Sequence, residues 1–318
     1  MESLIPLLLL ALGFVALILG ANWLVNGASS IGVRAKLSPL IIGLTIVAFG
    51  TSLPEMIVNV FSCAKGSPGL AIGNIIGSNT MNILLILGVS SMIWPIDVSR
   101  VSIRRDIPAG FIATLAITLM ANDFFTDSAC TVNWMDGIAL LLMGFAYLLL
   151  TVLKKDPLEK NEDIQSAMPW GKTIISLVLG IAGLYIGGEL VSRNAQVLAR
   201  NWGMSEGTIG LTVVATATSL PELITSIVAA LKKNSGIAIG NVLGSNIMNI
   251  FMVLGVSALI TPLPFEPMMN QQLMILFAAN LLMLILVFIG KGRKIGRWEG
   301  ALLTLGYLGF MWFSLAMQ

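Results

Sequence analysis

The sequence "LTIVAFGTSLPEMI" at residues 44–57 recurs, almost unchanged, as "LTVVATATSLPELI" at residues 211–224. Each copy holds one glutamate and one proline inside an otherwise apolar stretch. The same offset, 222 − 55 = 167, relates "AIGNIIGSNTMNILLILGVS" at 71–90 to "AIGNVLGSNIMNIFMVLGVS" at 238–257. Shared hydrophobicity alone does not produce such identity, so the chain contains a duplicated unit.

The composition indicates a membrane protein. Of the 318 residues, 56% are hydrophobic and only 11% are charged, with a mean hydropathy of +0.91, whereas soluble domains carry about 25% charged residues. A helix of about 20 apolar residues crosses the hydrocarbon core. We therefore predict an all-α polytopic protein of the cell membrane, set in the lipid bilayer, with no separate soluble domain. Its ten predicted spans are 4–27, 37–64, 69–92, 105–121, 134–153, 170–192, 206–231, 237–260, 270–290 and 297–317.

The duplication divides the ten predicted helices into two groups of five. We predict a first repeat at 1–153 with its motif at 43–95, a cytoplasmic linker at 154–169, and a second repeat at 170–318 with its motif at 210–262. Because five is odd, the second repeat enters the membrane from the opposite side, and the copies are inverted. With both termini outside, 15 of the 18 Lys and Arg residues flank cytoplasmic loops, as the positive-inside rule expects. Inverted repeats with interrupted helices are typical of secondary transporters.

Several function classes are excluded or disfavoured by what the sequence holds. The chain has no histidine, which excludes an imidazole relay or a His-ligated metal centre. Cys63 and Cys130 form no CxxC pair, so they predict neither a disulfide framework nor a metal site. An intramembrane hydrolase is disfavoured because no His or Asp supports the repeated glutamates. We expect no enzyme activity and no cofactor, and the sequence indicates no nucleic-acid or protein partner.

The repeated phrase predicts a broken helix in each copy. Pro54 has no N–H and cannot donate a hydrogen bond to the carbonyl of Gly50. In the same way, Pro221 leaves the carbonyl of Ala217 without its helical hydrogen bond. Unpaired backbone is not tolerated against lipid, so the break should face protein, water or an ion.

Oxygen atoms converge on these predicted breaks. Glu55 follows Thr51 by four residues and Ser52 by three, which places the three side chains on one helix face. Carboxylate, hydroxyl and carbonyl oxygens without nitrogen or sulfur donors favour hard cations such as Ca²⁺ or Na⁺. The candidate ligands of this motif are Glu55, Glu222, Thr51, Thr218, Ser52, Ser219 and the carbonyls of Ala48 and Ala215.

The second repeated motif predicts the opposing wall of the site. Its Asn and Ser residues recur every four positions, which forms a polar stripe along one helix face. The paired glycines have GxxxG spacing, which allows another helix to approach closely. Hydrogen bonding between helices is the alternative role for this stripe, but its recurrence beside the glutamates favours ion binding. The stripes are Asn74, Ser78 and Asn82 with Gly73 and Gly77, and Asn241, Ser245 and Asn249 with Gly240 and Gly244.

Together, "GTSLPE" with "GNIIGSNTMNILLILG" and "ATSLPE" with "GNVLGSNIMNIFMVLG" resemble the two α-repeats of the cation/calcium antiporter superfamily, and most closely its prokaryotic sodium/calcium exchangers. The resemblance extends over essentially the whole chain. It implies a ten-helix inverted-repeat fold in which helices 2, 3, 7 and 8 enclose the ions and helices 1 and 6 slide. It also implies that Glu55 and Glu222 ligate Ca²⁺, that Ser52 and Ser219 join the inner shell, that Asn82 and Asn249 line the central position, and that Thr51, Thr218, Ser78, Ser245 and the carbonyls of Ala48 and Ala215 serve sodium sites.

The sequence departs from the family pattern in two places. Relatives often carry aspartate at one of the positions held here by Asn82 and Asn249, and Ala217 replaces the glycine of the first copy, which we expect to stiffen the second break. We predict secondary-active exchange of Ca²⁺ for Na⁺ by alternating access. A proton-coupled Ca²⁺ antiporter is the alternative, and a K⁺-dependent exchanger or a cation channel stays open behind it.

Overall fold

The computed structural model describes residues 4–122, 130–153, 167–204, 215–289 and 292–316, and these are almost entirely helical, as predicted. Most of the predicted linker 154–169 and the first part of the predicted span 206–231 lie outside the described residues. The α-helices are α1 (Leu4–Ala35), α2 (Pro39–Ile42), α3 (Ala48–Ala64), α4 (Gly69–Met81), α5 (Leu87–Ile93), α6 (Ile107–Asn122), α7 (Trp134–Leu153), α8 (Trp170–Asn201), α9 (Ala215–Thr218), α10 (Leu220–Leu231), α11 (Ser235–Met248), α12 (Gly255–Ile260), α13 (Met269–Ile289) and α14 (Arg297–Ala316). Wider π-helical turns lie at Gly43–Val47, Asn82–Ile86, Ser102–Asp106 and Asn249–Leu254.

Seven helices in the described part of the chain are long and apolar enough to cross a membrane. Three of them continue through π turns, at Pro39–Ala64, Gly69–Ile93 and Ser235–Ile260. The predicted spans 105–121, 206–231 and 297–317 are not among the seven. In their place the structure has α6, which follows a π turn with three charged residues, the 12-residue α10, and α14.

The two longest helices, α1 and α8, cross through glycines. Each has 32 residues, or about 48 Å of helix, and is longer than its predicted span. A Cβ added at Gly20 would lie 2.9 Å from the Gly180 carbonyl oxygen, and one added at Gly187 would lie 2.8 Å from that of Gly13. The offset of 167 carries Gly13 to Gly180 and Gly20 to Gly187, so the crossing is symmetric between the two halves of the sequence. The backbones can approach this closely only because these positions lack side chains.

Two short β-ladders tie distant parts of the chain together. Strand β1 (Ile96–Asp97) pairs antiparallel with β4 (Lys294–Ile295), and β2 (Thr131–Val132) pairs antiparallel with β3 (Leu263–Pro264). Each ladder is extended by one bond of 2.9 Å, from the Val98 amide to the Arg293 carbonyl and from the Phe265 amide to the Cys130 carbonyl. The offset of 167 carries β1 onto β3. Each ladder therefore joins the first half of the chain to the second.

Helix α11 is the most deeply enclosed helix of the second motif, with every residue from Ile237 to Met248 buried. Its glycines face the turns that precede the first glutamate: a Cβ at Gly240 would lie 2.6 Å from the Leu40 carbonyl, and one at Gly244 would lie 2.7 Å from the Ala48 Cβ. The predicted close approach is thus confirmed for this copy. No described atom lies within 4 Å of a Cβ placed at Gly73 or Gly77, and most of the counterpart partner segment lies outside the described residues.

Candidate cation site

The first copy of the repeated phrase lies in a continuous helix. α3 continues through Pro54, so the break predicted there is wrong. Proline removes the one hydrogen bond that would reach the Gly50 carbonyl, but the turns on both sides stay helical. The irregularity lies upstream, in the π turn Gly43–Val47. The Thr51 hydroxyl oxygen lies 3.2 Å from the carbonyl oxygen of Ala48.

The second copy is interrupted, as predicted. α9 ends at Thr218, the Ser219 backbone has φ −91° and ψ 5°, and α10 begins at Leu220. Pro221 lies in the first turn of α10, where its missing N–H costs nothing. Glu222 lies in the same turn, where the partial positive charge of the helix N-terminus stabilises a carboxylate.

The structure brings the two glutamates together. Glu55 and Glu222 are both fully buried, and their carboxyl groups are close enough to interact electrostatically. The Ser52 hydroxyl donates to Oε1 of Glu222 over 3.2 Å. Among the described residues, no donor reaches Oε2 of Glu222 or either carboxyl oxygen of Glu55. A buried carboxylate without a compensating partner is costly, so these oxygens call for a cation or a proton.

The hydroxyl of Thr51 reaches the polar stripe of the opposite repeat. It donates to Oδ1 of Asn241 over 3.0 Å and lies 3.4 Å from the Ser245 hydroxyl. The Asn241 amide nitrogen in turn donates to the Ser226 hydroxyl at 2.9 Å and to the backbone carbonyl of Glu222 at 3.3 Å. This stripe therefore connects the two glutamate-bearing segments.

The second copy makes the reciprocal contact with the first stripe. The Thr218 hydroxyl lies 3.4 Å from Oδ1 of Asn74, and the Ser219 hydroxyl donates to that of Ser78 over 3.1 Å. The Asn74 amide nitrogen donates to Oδ1 of Asn59 over 2.8 Å. The hydroxyls predicted from the repeated phrase thus meet the predicted stripes across the repeat interface.

Asn82 and Asn249 begin the π turns of their helices. Both are buried, and the Oδ1 atom of each has no hydrogen-bond donor among the described residues. α10, which carries Glu222, packs against the turn that Asn82 begins, and α3, which carries Glu55, packs against the turn of Asn249. Single π turns are frequent at functional sites.

Two residues of this region were missed by the sequence interpretation. Asn79 and Asn246 hydrogen-bond to each other's backbone and to the amides of Asn249 and Asn82. The available signal was their identity at the repeat offset of 167, but they lie off the four-residue stripe. Ala215, the counterpart of Ala48, is the first residue of α9.

Five buried oxygens at this site lack a donor among the described residues, and we call them the acceptor-only cluster. They are both carboxyl oxygens of Glu55, Oε2 of Glu222, and Oδ1 of Asn82 and Asn249. Native proteins satisfy almost all buried polar atoms, and oxygen ligands suit hard cations such as Ca²⁺ and Na⁺. No group of three or more His, Cys, Asp or Glu occurs in the described chain, so two carboxylates and neutral oxygens would have to hold the ion.

Comparisons with known proteins agree with this chemistry. The sequence model of the family described as "Sodium/calcium exchanger protein" matches residues 5–153 and 172–316. The chain is 36% identical to the putative antiporter CaxA of Alkalimonas amylolytica, over 97% of this chain and 98% of that protein. It is 31% identical to the sodium/calcium exchanger MaX1 of Methanosarcina acetivorans, over 96% and 97%.

Solved structures give the same result for the fold. The chain superposes on the sodium-calcium exchanger NCX_Mj, soaked with 10 mM Na⁺ and zero Ca²⁺, with a TM-score of 0.82 and 32% sequence identity, covering 96% of this chain and 97% of the other. Family, relatives and fold identify a multi-pass protein of the cell membrane that is a transporter and not an enzyme. The chain belongs to the sodium/calcium exchanger protein family of membrane antiporters.

Proposed function

We propose that the protein exchanges Ca²⁺ for Na⁺ across the cell membrane by alternating access, with Ca²⁺ bound at the acceptor-only cluster and Na⁺ bound at the hydroxyl and carbonyl oxygens beside it. The observation that carries this proposal is the set of five buried oxygens without donors on Glu55, Glu222, Asn82 and Asn249. A cation is the partner that such a cluster lacks. The names of relatives such as the sodium/calcium exchanger MaX1 support the choice of ions.

The ligand set accounts for both ions by charge and by number of oxygens. Glu55 and Glu222 supply two negative charges, which neutralise one Ca²⁺, and Asn82 and Asn249 complete its coordination with neutral oxygens. Sodium carries one charge and binds at hydroxyl and carbonyl oxygens near the same carboxylates. The proposed sodium ligands are Thr51, Thr218, Ser78, Ser245 and the carbonyls of Ala48 and Ala215, with Ser52 and Ser219 in the inner shell of the glutamates.

We also propose ten transmembrane helices arranged as two inverted five-helix repeats, with both termini outside. Two features support the repeats: the glycine crossing of α1 and α8, which is symmetric under the repeat offset, and the strands β1 and β3, which lie at equivalent positions and each pair with a strand of the other half. The distribution of Lys and Arg supports the orientation. In this arrangement the ions bind where the repeats meet, and closing one side while opening the other moves them across.

Proton-coupled Ca²⁺ exchange is the second candidate, because two adjacent buried glutamates can exchange Ca²⁺ for protons without any histidine. Purified protein in liposomes separates the candidates when Na⁺ and pH gradients are imposed one at a time. We expect Ca²⁺ uptake to follow the Na⁺ gradient at fixed pH. Uptake driven by the pH gradient alone would replace Na⁺ by H⁺ as the counter-ion, and uptake under neither gradient would contradict antiport.

The matched control for this assay is Glu189→Gln. Glu189 is a partly exposed residue of α8 that pairs with Arg193 on the same helix. We expect this variant to retain Na⁺-driven Ca²⁺ uptake, whereas Glu55→Gln and Glu222→Gln lose it.

A further inference from the structure

We propose that Asn79 and Asn246 are positioning residues that aim the amide oxygens of Asn82 and Asn249 at the transported cation, so that each repeat orients a ligand of the other. This inference rests on the proposed function, because the cation in question is Ca²⁺ bound between the two glutamates. It adds two residues that touch no ion themselves but decide which atom of a ligand the ion meets.

The two positioning residues face each other across the repeat interface. The Nδ2 atom of Asn79 on α4 donates to the backbone carbonyl of Asn246 over 3.0 Å, and Nδ2 of Asn246 on α11 donates to the backbone carbonyl of Asn79 over 3.2 Å. Both side chains are buried, at 1% and 5% exposure. The offset of 167 interchanges the two bonds, so the pair is symmetric about the repeat interface.

A backbone carbonyl fixes the orientation of the Asn79 amide. A carbonyl can only accept a hydrogen bond, so the nitrogen of the Asn79 side chain must point at Asn246 and its Oδ1 must point away. That Oδ1 accepts from Nδ2 of Asn249 over 3.1 Å. The Asn249 amide is therefore also fixed, with its nitrogen towards Asn79 and its Oδ1 in the buried space where no described residue donates.

The equivalent hydrogen bonds at the repeat offset of 167 fix the Asn82 amide in the same way. Oδ1 of Asn246 accepts from Nδ2 of Asn82 over 2.9 Å, because the nitrogen of Asn246 is already committed to the Asn79 carbonyl. The Oδ1 of Asn82 is left without a described donor. In both repeats, a backbone carbonyl fixes the amide of the positioning residue, and that amide in turn fixes the amide of Asn249 or Asn82 on the other repeat.

The orientation matters because the two ends of an asparagine amide have opposite effects on a cation. The oxygen ligates Ca²⁺, whereas the NH₂ group carries two donors that repel it. Asn249 begins a π turn that packs against α3, which carries Glu55, and Asn82 begins the turn that packs against α10, which carries Glu222. A free amide at either position could turn its nitrogen towards the ion, and the positioning residues prevent this.

The test measures the Ca²⁺ dissociation constant of purified protein by calorimetry, in double-mutant combinations. We expect Asn79→Ala to weaken Ca²⁺ binding about 10-fold, the lower end of the range for residues that orient metal ligands. In an Asn249→Ala background we expect no further loss, because the amide that Asn79 orients is gone. In an Asn82→Ala background the full loss should remain, because that amide is oriented by Asn246.

A transport measurement, a control variant and a replacement variant complete the test. In liposomes, Asn79→Ala should raise the KM for Ca²⁺ and leave the maximal rate within about 2-fold, as expected when only ligand orientation in the bound state changes. Asn280→Ala is the matched control: Asn280 is buried and, among the described residues, its amide donates to the Leu276 carbonyl of its own helix, so Ca²⁺ binding should not change. If Asn79→Ala does not yield folded protein, Asn246→Ala tests the same coupling with the roles of Asn82 and Asn249 exchanged.

The outcomes separate this proposal from the function on which it rests. Equal losses from Asn79→Ala in the Asn249→Ala and Asn82→Ala backgrounds would reduce the asparagine pair to packing between helices and overturn the proposal, while the proposed function stands. Wild-type protein that binds no Ca²⁺ would overturn both. Loss confined to the wild-type and Asn82→Ala backgrounds supports the positioning role.

Discussion

The two copies of the repeated phrase have nearly the same sequence and different conformations. In the first copy, α3 is continuous through Pro54 and Glu55 lies inside the helix; in the second, the chain breaks at Ser219 and Glu222 lies in the first turn of a new helix. Glu222 therefore receives the helix N-terminus and the Ser52 hydroxyl, whereas neither oxygen of Glu55 has a described donor. Two chemically equivalent carboxyl groups are thus in unequal environments.

The serines that precede the prolines differ in the same way. Ser52 donates to the glutamate of the other copy, while Ser219, its counterpart, donates to Ser78. Under the proposed mechanism this difference is expected, because a transporter built from two inverted repeats opens to one side only when the repeats adopt different conformations. The two copies therefore supply the same kinds of side chain, and in this structure those side chains have different hydrogen-bond partners.

The largest expected effect tests whether the two glutamates are equivalent despite their environments. Glu55→Gln and Glu222→Gln should each reduce Ca²⁺ affinity by roughly 100-fold or more, because ligand charge largely sets Ca²⁺ affinity. Ca²⁺ flux in liposomes measures the loss, and size-exclusion chromatography checks folding. Normal flux by either folded variant would contradict the assignment of that glutamate.

Asn249→Asp tests the equivalence of the two repeats by adding a carboxylate to the second repeat alone. The new carboxylate loses the amide donor to Asn79 and stands near Glu55 and Glu222, so protons compete with Ca²⁺ for one more acidic group. We expect Ca²⁺ transport to fall by roughly a factor of 10 more than wild type between pH 8 and pH 6, a range that includes perturbed carboxylates.

Asn82→Asp is the matched variant on the other repeat. A similar pH profile would indicate that both asparagines line the central position. A profile identical to wild type in an actively transporting Asn249→Asp protein would place residue 249 outside the cation cavity.

A smaller effect should distinguish the two serines. Ser52→Ala removes the described donor to Glu222 and should weaken Ca²⁺ binding about 10-fold, while Ser219→Ala, which breaks a hydroxyl–hydroxyl bond, should weaken it by about 3-fold, following the difference between charged and neutral hydrogen bonds. Ca²⁺ titration of purified protein measures both. Ser257→Ala serves as the control, because Ser257 is buried and donates to Val253 within its own helix turn. Equal losses at both serines would remove the asymmetry.

The smallest effect concerns the prolines and appears in stability. Pro54→Ala supplies an N–H inside a continuous helix and should raise the melting temperature by a few degrees, because proline is unfavourable in a helix interior. Pro221→Ala, in the first turn of α10, should change it by less than about one degree, because that N–H has no helical acceptor. A larger rise for Pro221→Ala would mean that the second break is held open by proline.

Much of the fold could be predicted because the apolar segments and the repeat are visible in the sequence itself. The helical class follows from composition and the polar stripes follow from spacing, whereas the contact of Thr51 with Asn241 is known only from the structure. The state of the helix at Pro54 could not be predicted. Proline removes one hydrogen bond in either copy, and whether the helix then breaks depends on surrounding packing. The copy that carries Ala217 is the interrupted one, and whether alanine stiffens that break stays a prediction.

The candidate site was predicted as a set of residues but not as a network. Glu55, Glu222 and their hydroxyl neighbours are recognisable because charge is costly in a membrane and the motif occurs twice. Asn79 and Asn246 lie one residue beyond the serines of the stripe, so helical periodicity assigns them to a different face. Their role depends on the approach of α4 to α11, and a contact between distant segments has no signature in a single sequence.

The two β-ladders constrain the order in which the chain can be completed. β1 near residue 96 can pair only after β4 near residue 295 has been synthesised. Likewise, β2 near residue 131 can pair only after β3 near residue 263 has been synthesised. Neither half can satisfy these strand edges by itself while it emerges from the ribosome, and pairings between distant segments close late because they carry a large loop entropy. The first half therefore stays unfinished until the last helices have been synthesised, and a chain truncated before residue 294 would leave β1 without its partner.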